Sequence, residues 1–254
     1  KGRQQFLDAW EMELRRQRND PDGDVSEWMV FTGVDERTFT EDFLNPSAPW
    51  TEILWTSYDS TLSLLLVNMP ISQAHAVAGM KFHDLLLEAV EPMGLKHELR
   101  ELANADCEGH SGRKHPDSSW LPNVLPPGRS EDWPSVVLEI AYSEGPSKLM
   151  SDVRFWLYQS EGNVKVVLTL QIDQQEPNIT LEKWELQNGR PHRTQQIIIS
   201  KDKSQLVPIQ NDPLVIQFAD LFLRDPSIPN ETDIAIDEQK LRVLAHAIWL
   251  VQKF

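Results

Sequence analysis

One acidic residue lies inside an otherwise apolar segment of the chain. Glu139 is the only charged residue between Pro134 and Tyr142, and this run predicts a buried β-strand. A carboxylate in such a strand is costly unless a positive group meets it. Asp117 lies 22 residues before Glu139, and Lys148 follows it after nine residues. Two acids and a lysine around one strand predict a divalent-metal site that hydrolyses phosphodiesters.

Strand geometry indicates how these groups could meet. Residues two apart in a strand share a face, so Glu139 and Ala141 point the same way. If Asp117 lies on the neighbouring strand and faces the same side, the two carboxylates can share a cation. Mg²⁺ is typically held by one or two carboxylates, with water and substrate phosphate completing its shell. Such an ion, Mg²⁺ or Mn²⁺, polarises the phosphoryl group and generates hydroxide, and Lys148 would stabilise charge or position the attacking water.

The pattern of apolar residues and turn signals predicts the elements that position these side chains. Helices are expected over 6–18, 73–90, 146–159, 213–223 and 237–252, and strands over 62–67, 96–102, 117–120, 135–142, 164–172, 180–186 and 195–200. Asn188-Gly189 predicts a hairpin turn between the last two strands. The order helix, strand, strand, strand, helix, strand indicates a mixed α/β fold. We expect an aromatic-rich helical extension over 1–60, a core over 61–200 and a helical extension over 201–254.

Several of these segments carry a resemblance to a known family. Pro116-Asp117, followed by Glu139-Ile-Ala141 in an apolar strand, a helix and another strand, resembles the PD-(D/E)XK, restriction-endonuclease-like nuclease superfamily. The segment 133–143, Lys148-Leu149 and the segment 152–156 look most like fungal nuclease-like domains, over roughly residues 62–200.

The resemblance implies a restriction-endonuclease-like core, a central mixed sheet flanked by helices with helical additions at both ends. It implies that Asp117 and Glu139 bind the metal. The family usually has a lysine two residues after the glutamate, where this chain has Ala141. Several branches supply the lysine from the following helix, as Lys148 would, and some add an acid from the preceding helix, for which Glu88 is the candidate.

Composition bounds the possible functions. The formal net charge is −15, whereas a protein that holds nucleic acid through phosphate contacts usually has a basic surface. Either the basic residues are concentrated around one groove, or the substrate is not a long nucleic acid, or a metal supplies the positive charge. The single cysteine, Cys107, excludes an internal disulfide and a Cys-rich zinc site. No apolar run has the length of a membrane span and no secretory pattern is present, so we expect an intracellular protein of the nucleus or cytoplasm.

Three hypotheses follow. The first is a metal-dependent nuclease acting on DNA or RNA, with DNA reached through a local basic groove. The second is an inactive nuclease-fold domain that binds a protein partner or a second copy, which Ala141 and the net charge favour. The third is a hydrolase that uses paired acids for general acid/base work, as glycosidases do.

Each candidate residue also has an ordinary structural interpretation. Glu139 could form an internal ion pair and Asp117 could cap a turn, while Lys148 and Glu88 could be solvated helix residues. His115 precedes Pro116-Asp117 and could position substrate, although a histidine in a loop is usually incidental.

Overall fold

The computed structural model describes residues 3–19, 28–44, 55–68, 72–102, 106–142, 145–202, 205–206, 209–211 and 213–254. Six α-helices in these ranges are α1 (Arg3–Asn19), α2 (Glu36–Phe39), α3 (Gln73–Val90), α4 (Pro146–Arg154), α5 (Phe218–Phe222) and α6 (Glu238–Gln252). The first seven strands are β1 (Trp28–Thr32), β2 (Trp55–Asp59), β3 (Leu64–Asn68), β4 (Leu99–Glu101), β5 (Cys107–Gly109), β6 (Gly112–Lys114) and β7 (Ser118–Pro122). The remaining strands are β8 (Val136–Ala141), β9 (Val166–Ile172), β10 (Asn178–Gln187), β11 (Arg190–Asp202), β12 (Gln205–Leu206), β13 (Leu214–Ile216) and β14 (Ile234–Ile236).

The chain divides into two compact units. The first comprises residues 1–72 and 106–115, and the second comprises residues 73–105 and 116–254. The predicted core segment 61–200 therefore contributes residues to both units. The predicted extension 201–254 belongs to the second unit, where it supplies β13 and β14 as well as helix α6.

The first unit contains an antiparallel sheet with the strand order β1-β3-β2-β6-β5. Its core is largely aromatic, because Phe39, Trp55 and Tyr58 are buried together with Leu65 and Val67. The predicted apolar stripe of the first helix contributes Phe6 and Trp10, which pack against this core.

The second unit contains a seven-stranded sheet with the order β12-β11-β10-β9-β8-β7-β4. Strands β8 and β9 run parallel, while the other paired neighbours run antiparallel, so the sheet is mixed. Helix α3 packs against β8 and α6 packs against α3, and together they cover the apolar core of the unit. The predicted fold class, a mixed α/β fold with helices flanking a mixed sheet, is confirmed.

Most predicted elements are present, and two are corrected. The segment 213–223 is not a helix: Leu214-Val-Ile216 forms β13 paired with β14, and only Phe218–Phe222 is helical. The β-branched residues alternate in burial and find a partner in Ile234-Ala-Ile236, which favours a strand. The helix predicted over 146–159 is α-helical to Arg154 and continues as a π-helical segment to Gln159. Asn188 and Gly189 both have positive φ, as the predicted hairpin turn requires.

Within the described ranges, no helix combines the length and the apolar character needed to cross a membrane.

Gly79 controls how closely α3 approaches β8. A Cβ atom added there would lie 3.4 Å from Ile140 Cδ1 and 3.5 Å from Ser118 Oγ, which is ordinary van der Waals contact. We expect Gly79→Ala to raise the free energy of unfolding by about 0.5–1 kcal/mol, because alanine restricts the unfolded chain and favours the helix. Urea unfolding measures this. Gly79→Leu should instead destabilise, because the longer side chain collides with Ile140; equal effects of the two variants would contradict the close packing.

Candidate active site

Glu139 is the fourth residue of β8, a strand whose six residues are all buried. The side of the strand that carries Glu139 also carries Val137 and Ala141, and Glu139 lies opposite Thr169 of β9. The glutamate is only 4% exposed, and its Oε1 accepts a hydrogen bond from the indole Nε1 of Trp156 at 2.5 Å. The protein therefore stabilises this buried carboxylate with a neutral donor from the segment after α4.

Asp117 immediately precedes β7 and meets the strand that carries Glu139. Ser118 pairs with Leu138 in the antiparallel ladder. Extending this register by one residue beyond the start of β7 sets Asp117 opposite Glu139. The Oδ2 atom of Asp117 accepts the backbone N–H of Ile140 at 2.7 Å. The structure thus brings the carboxylate of Asp117 to the backbone of β8 at Ile140, and the sharing of a cation with Glu139 stays a prediction.

His75, in the first turn of α3, also contacts Asp117. The distance from His75 Nε2 to Asp117 Oδ1 is 3.4 Å, and both side chains are mostly buried, 12% and 20% exposed. The sequence analysis missed His75. One local signal was its place in the first turn of a helix predicted to pack on the strands, but its contact with Asp117 depends on tertiary packing.

Helix α4 and the π-helical segment that follows it carry three polar or aromatic side chains spaced four residues apart, Lys148, Asp152 and Trp156. Lys148 Nζ donates to Asp152 Oδ2 at 2.5 Å, and the two side chains are 18% and 6% exposed. Residues four apart lie on one side of a helix, so Lys148, Asp152 and Trp156 form a stripe. Trp156, at the end of this stripe, contacts Glu139. The sequence prediction did not assign Asp152 to the site, although its spacing between Lys148 and Trp156 was the available signal.

Local sequence explains why this stripe forms. Gly145 has extended backbone at the N-cap of α4 and Pro146 occupies the first helical turn, where its missing N–H costs nothing. The predicted buried face of the helix is confirmed, because Leu149, Val153 and Leu157 are buried. The π-helical turn over Phe155–Gln159 buries the adjacent Trp156 and Leu157 together, and such turns are frequent at functional sites.

Ala141 lies two residues after Glu139 on the same side of β8 and is buried. This position cannot supply a charge. The cation on the α4 stripe is Lys148, whose charge is opposed by the buried Asp152.

The structure also describes two other predicted residues, His115 and Glu88. His115 belongs to the first unit, where its ring packs at a tilted angle against Trp55 with the ring centroids 4.0 Å apart, and its Nδ1 lies 2.8 Å from the Trp55 carbonyl. Burial lowers the pKa of His115, because desolvation disfavours the imidazolium form. Glu88 is exposed on α3, 13 residues after His75 and so about 20 Å along the helix axis. The structure does not bring Glu88 to the His75–Asp117 pair, and the roles of Glu88 and His115 stay predictions.

The donor chemistry of the Asp117–Glu139 pair suits a hard divalent cation. Mg²⁺ and Mn²⁺ prefer carboxylate oxygens, and Mg²⁺ sites often use only one or two of them. In the ranges that the structure describes, no group of three or more His, Cys, Asp or Glu residues is arranged to hold a metal ion. A metal here would therefore take most of its shell from water and substrate.

Comparisons with known proteins assign no family to this chain. No family model matches the chain. No curated protein matches it either. Solved structures that align with part of this chain include a protein from Anabaena variabilis described as a "putative nuclease belonging to DUF820". The two chains are 15% identical with a TM-score of 0.41, over 75% of this chain and 90% of that one. A similarity of this strength assigns neither a family nor a function.

The hydrogen bond from Trp156 to Glu139 can be separated from the packing of the indole ring. Trp249 in α6 is also buried, but its indole Nε1 has no hydrogen-bond partner in the described part of the chain. Both Trp156→Phe and Trp249→Phe lose ring volume, and only the first removes a donor from a buried carboxylate. We expect Trp156→Phe to cost about 1.5–3 kcal/mol more in free energy of unfolding, measured with urea.

A double variant is the control for this comparison. In a Glu139→Leu background the extra cost of Trp156→Phe should disappear, because no carboxylate remains to be stabilised. An unchanged cost would show that the indole contributes only by packing.

Proposed function

We propose that the chain is a metal-dependent nuclease of the restriction-endonuclease-like superfamily, hydrolysing phosphodiester bonds of DNA or RNA, with DNA the expected substrate. The observation that supports this most directly is the placement of Asp117 against β8 beside the buried Glu139. Two carboxylates, one immediately before β7 and one on the neighbouring β8, would form the core of the predicted metal site. The parallel β8–β9 pair with α4 between them in sequence supports the same interpretation.

Each residue has a role in this proposal. Asp117 and Glu139 would hold Mg²⁺ or Mn²⁺, which supplies Lewis-acid polarisation of the phosphoryl group and an activated water. The Ile140 N–H and His75 orient the Asp117 carboxylate, and the Trp156 indole orients Glu139.

Lys148 would stabilise negative charge that develops on the phosphoryl oxygens. Asp152 holds its ammonium group on the side of α4 that reaches Glu139. A lysine from the helix would thus replace the one that Ala141 does not provide.

The proposal extends to partners and location. We propose that nucleic acid binds through a local basic groove, despite the net charge of −15, and that the protein acts in the nucleus or cytoplasm. The likeness of the segment 133–143 to fungal nuclease-like domains belongs to the same proposal; Ser143 and Glu144 lie outside the described residues. Association with a second copy or another protein also remains a proposal.

The nuclease proposal predicts Mn²⁺-dependent degradation of DNA by the purified protein. Glu139→Gln should abolish this cleavage, because an amide is a weak ligand for a hard cation. Glu176→Gln, which changes an exposed glutamate in the turn before β10, is the matched control and should cleave like the unchanged protein. Gel-based cleavage assays with and without EDTA provide the measurement. Equal cleavage by both variants would place the active site elsewhere.

A second candidate function is an inactive nuclease-fold domain that binds another protein. The specific observation in its favour is that Ala141 is buried beside Glu139 while Lys148 is already engaged by Asp152. A site without an available cation could keep the fold and lose the reaction.

Calorimetric titration with Mn²⁺ discriminates between the two candidates. The nuclease proposal predicts heat of binding that is lost in Asp117→Asn and in Glu139→Gln, because each variant removes one anionic ligand. The interaction-domain alternative predicts the same titration curve for all three proteins. Thermal unfolding of each variant verifies that the comparison concerns folded protein.

A further inference from the structure

A second concave site lies at the other end of the parallel strands of the second unit. It is an open concavity of about 510 Å³, lined by the loop before β8, the residues just before β9, and α5 with the residues that follow it. This volume is within the range of pockets that bind small organic ligands. The pocket is lined by Pro126, Pro127, Gly128, Arg129, Asn163, Lys165, Ala219, Leu223, Arg224 and Asp225.

The pocket is distant from the candidate active site. Arg129 donates to the carbonyls of Pro134 and Asn163, which precede the first residues of β8 and β9. Glu139 lies five residues beyond Pro134 along the strand direction, a distance of about 16 Å. The two sites therefore use opposite ends of the same parallel pair.

Arg129 places a rigid positive charge in the wall of this pocket. Its guanidinium donates to the backbone carbonyls of Ser130, Trp133, Pro134 and Asn163. These neutral acceptors fix the side chain without cancelling its charge. In the described part of the chain Arg129 forms no ion pair, and its buried Nε has no hydrogen-bond partner. Burial lowers the pKa of Arg129 because desolvation disfavours the charged form, yet an arginine stays protonated.

The other charges around the pocket leave it locally positive. Lys165 is exposed and donates to the Gly162 carbonyl, an acceptor without net charge. Arg224 forms a bidentate pair with the buried Glu231, so its charge is largely compensated.

Two acids oppose these cations. Asp225 lines the pocket. Asp220 lies close enough to Lys165 to interact electrostatically with it, and burial, with Glu185 nearby, raises the pKa of Asp220. On a chain of net charge −15, the side chains that line this pocket comprise three cations, Arg129, Lys165 and Arg224, and one acid, Asp225, which is a local excess of positive charge.

From this arrangement we propose that the pocket binds a small organic phosphate. The ammonium group of Lys165 donates charge-assisted hydrogen bonds to phosphate oxygens, and Arg129, whose N–H groups already serve four carbonyls, adds a fixed positive charge beside them. The apolar wall of Pro126, Pro127 and Leu223 accommodates the organic part of the molecule. This site is independent of the proposed nuclease chemistry.

Adenosine monophosphate is a suitable probe, with adenosine as its uncharged counterpart. Titration calorimetry should show binding of the monophosphate and at least about tenfold weaker binding of adenosine, because only the phosphate meets the cations. Inorganic phosphate should compete. Equal affinity for adenosine monophosphate and adenosine, or failure of inorganic phosphate to compete, would overturn the proposal.

Two pairs of variants test the location without disturbing Arg129, whose four carbonyl contacts make it structurally necessary. Ala219→Glu adds a negative charge at an exposed position of the pocket, and Ala235→Glu adds the same charge at an exposed position of β14. Lys165→Gln removes a pocket cation, and Lys253→Gln removes one at the end of α6. The pocket variants should weaken binding by about tenfold while their partners bind normally. Equal affinities within both pairs would refute the site.

The same titration separates this proposal from the nuclease proposal. Glu139→Gln should bind the monophosphate as the unchanged protein does, whether or not it cleaves DNA. Loss of binding in Glu139→Gln with normal binding in Ala219→Glu would assign the nucleotide to the active site and overturn the pocket.

Discussion

A carboxylate in the middle of a buried strand is the constraint on which the candidate site depends. Glu139 cannot be solvated by water at 4% exposure, so the protein must supply donors for it. The donor in contact is the indole N–H of Trp156, which reaches Glu139 only when the segment after α4 packs on that side of β8. Because Lys148 and Asp152 lie on the same stripe of α4, this packing also orients them. One interaction therefore couples the stability of the acid to the placement of the lysine.

The two sides of β8 have different partners. Val136, Leu138 and Ile140 join the apolar core formed with α3 and α6, while Glu139 faces the side of α4. Asp117 connects the two sides at the strand end, because it accepts the N–H of Ile140 and contacts His75 of α3. Pro116 lacks an N–H, so the ladder cannot continue regularly past Asp117, and the carboxylate takes the place of a backbone acceptor. Accepting the Ile140 N–H and the proposed binding of a metal thus both depend on the carboxylate of Asp117.

The pattern of residues within a short segment predicted those helices and strands whose formation depends mainly on that segment. The apolar run around Glu139 has the length and β-branched content of a strand, and the predicted bounds of α3 match the structure. Segment 213–223 was mispredicted because Leu214-Val-Ile216 pairs with a strand about 20 residues later, which no local window contains. For the same reason the strand predicted over 62–67 is present as β3, but its partners β1 and β2 in the first unit were not predicted. His75 and Asp152 join the site through tertiary contacts, which residue spacing alone does not reveal.

Electrostatics gives the two ends of the β8–β9 pair different chemical character. Asp117 and Glu139 contribute negative charge at one end of the pair, on a chain whose net charge is −15, and this attracts divalent cations and repels phosphodiesters. The pocket at the amino end of the pair has an excess of positive charge, because Arg129, Lys165 and Arg224 line it together with a single acid, Asp225. If the nuclease proposal holds, the metal must bind first, since only a bound cation lets a polyanion approach two carboxylates. Nucleic-acid binding at this end of the sheet would then depend on the divalent ion itself.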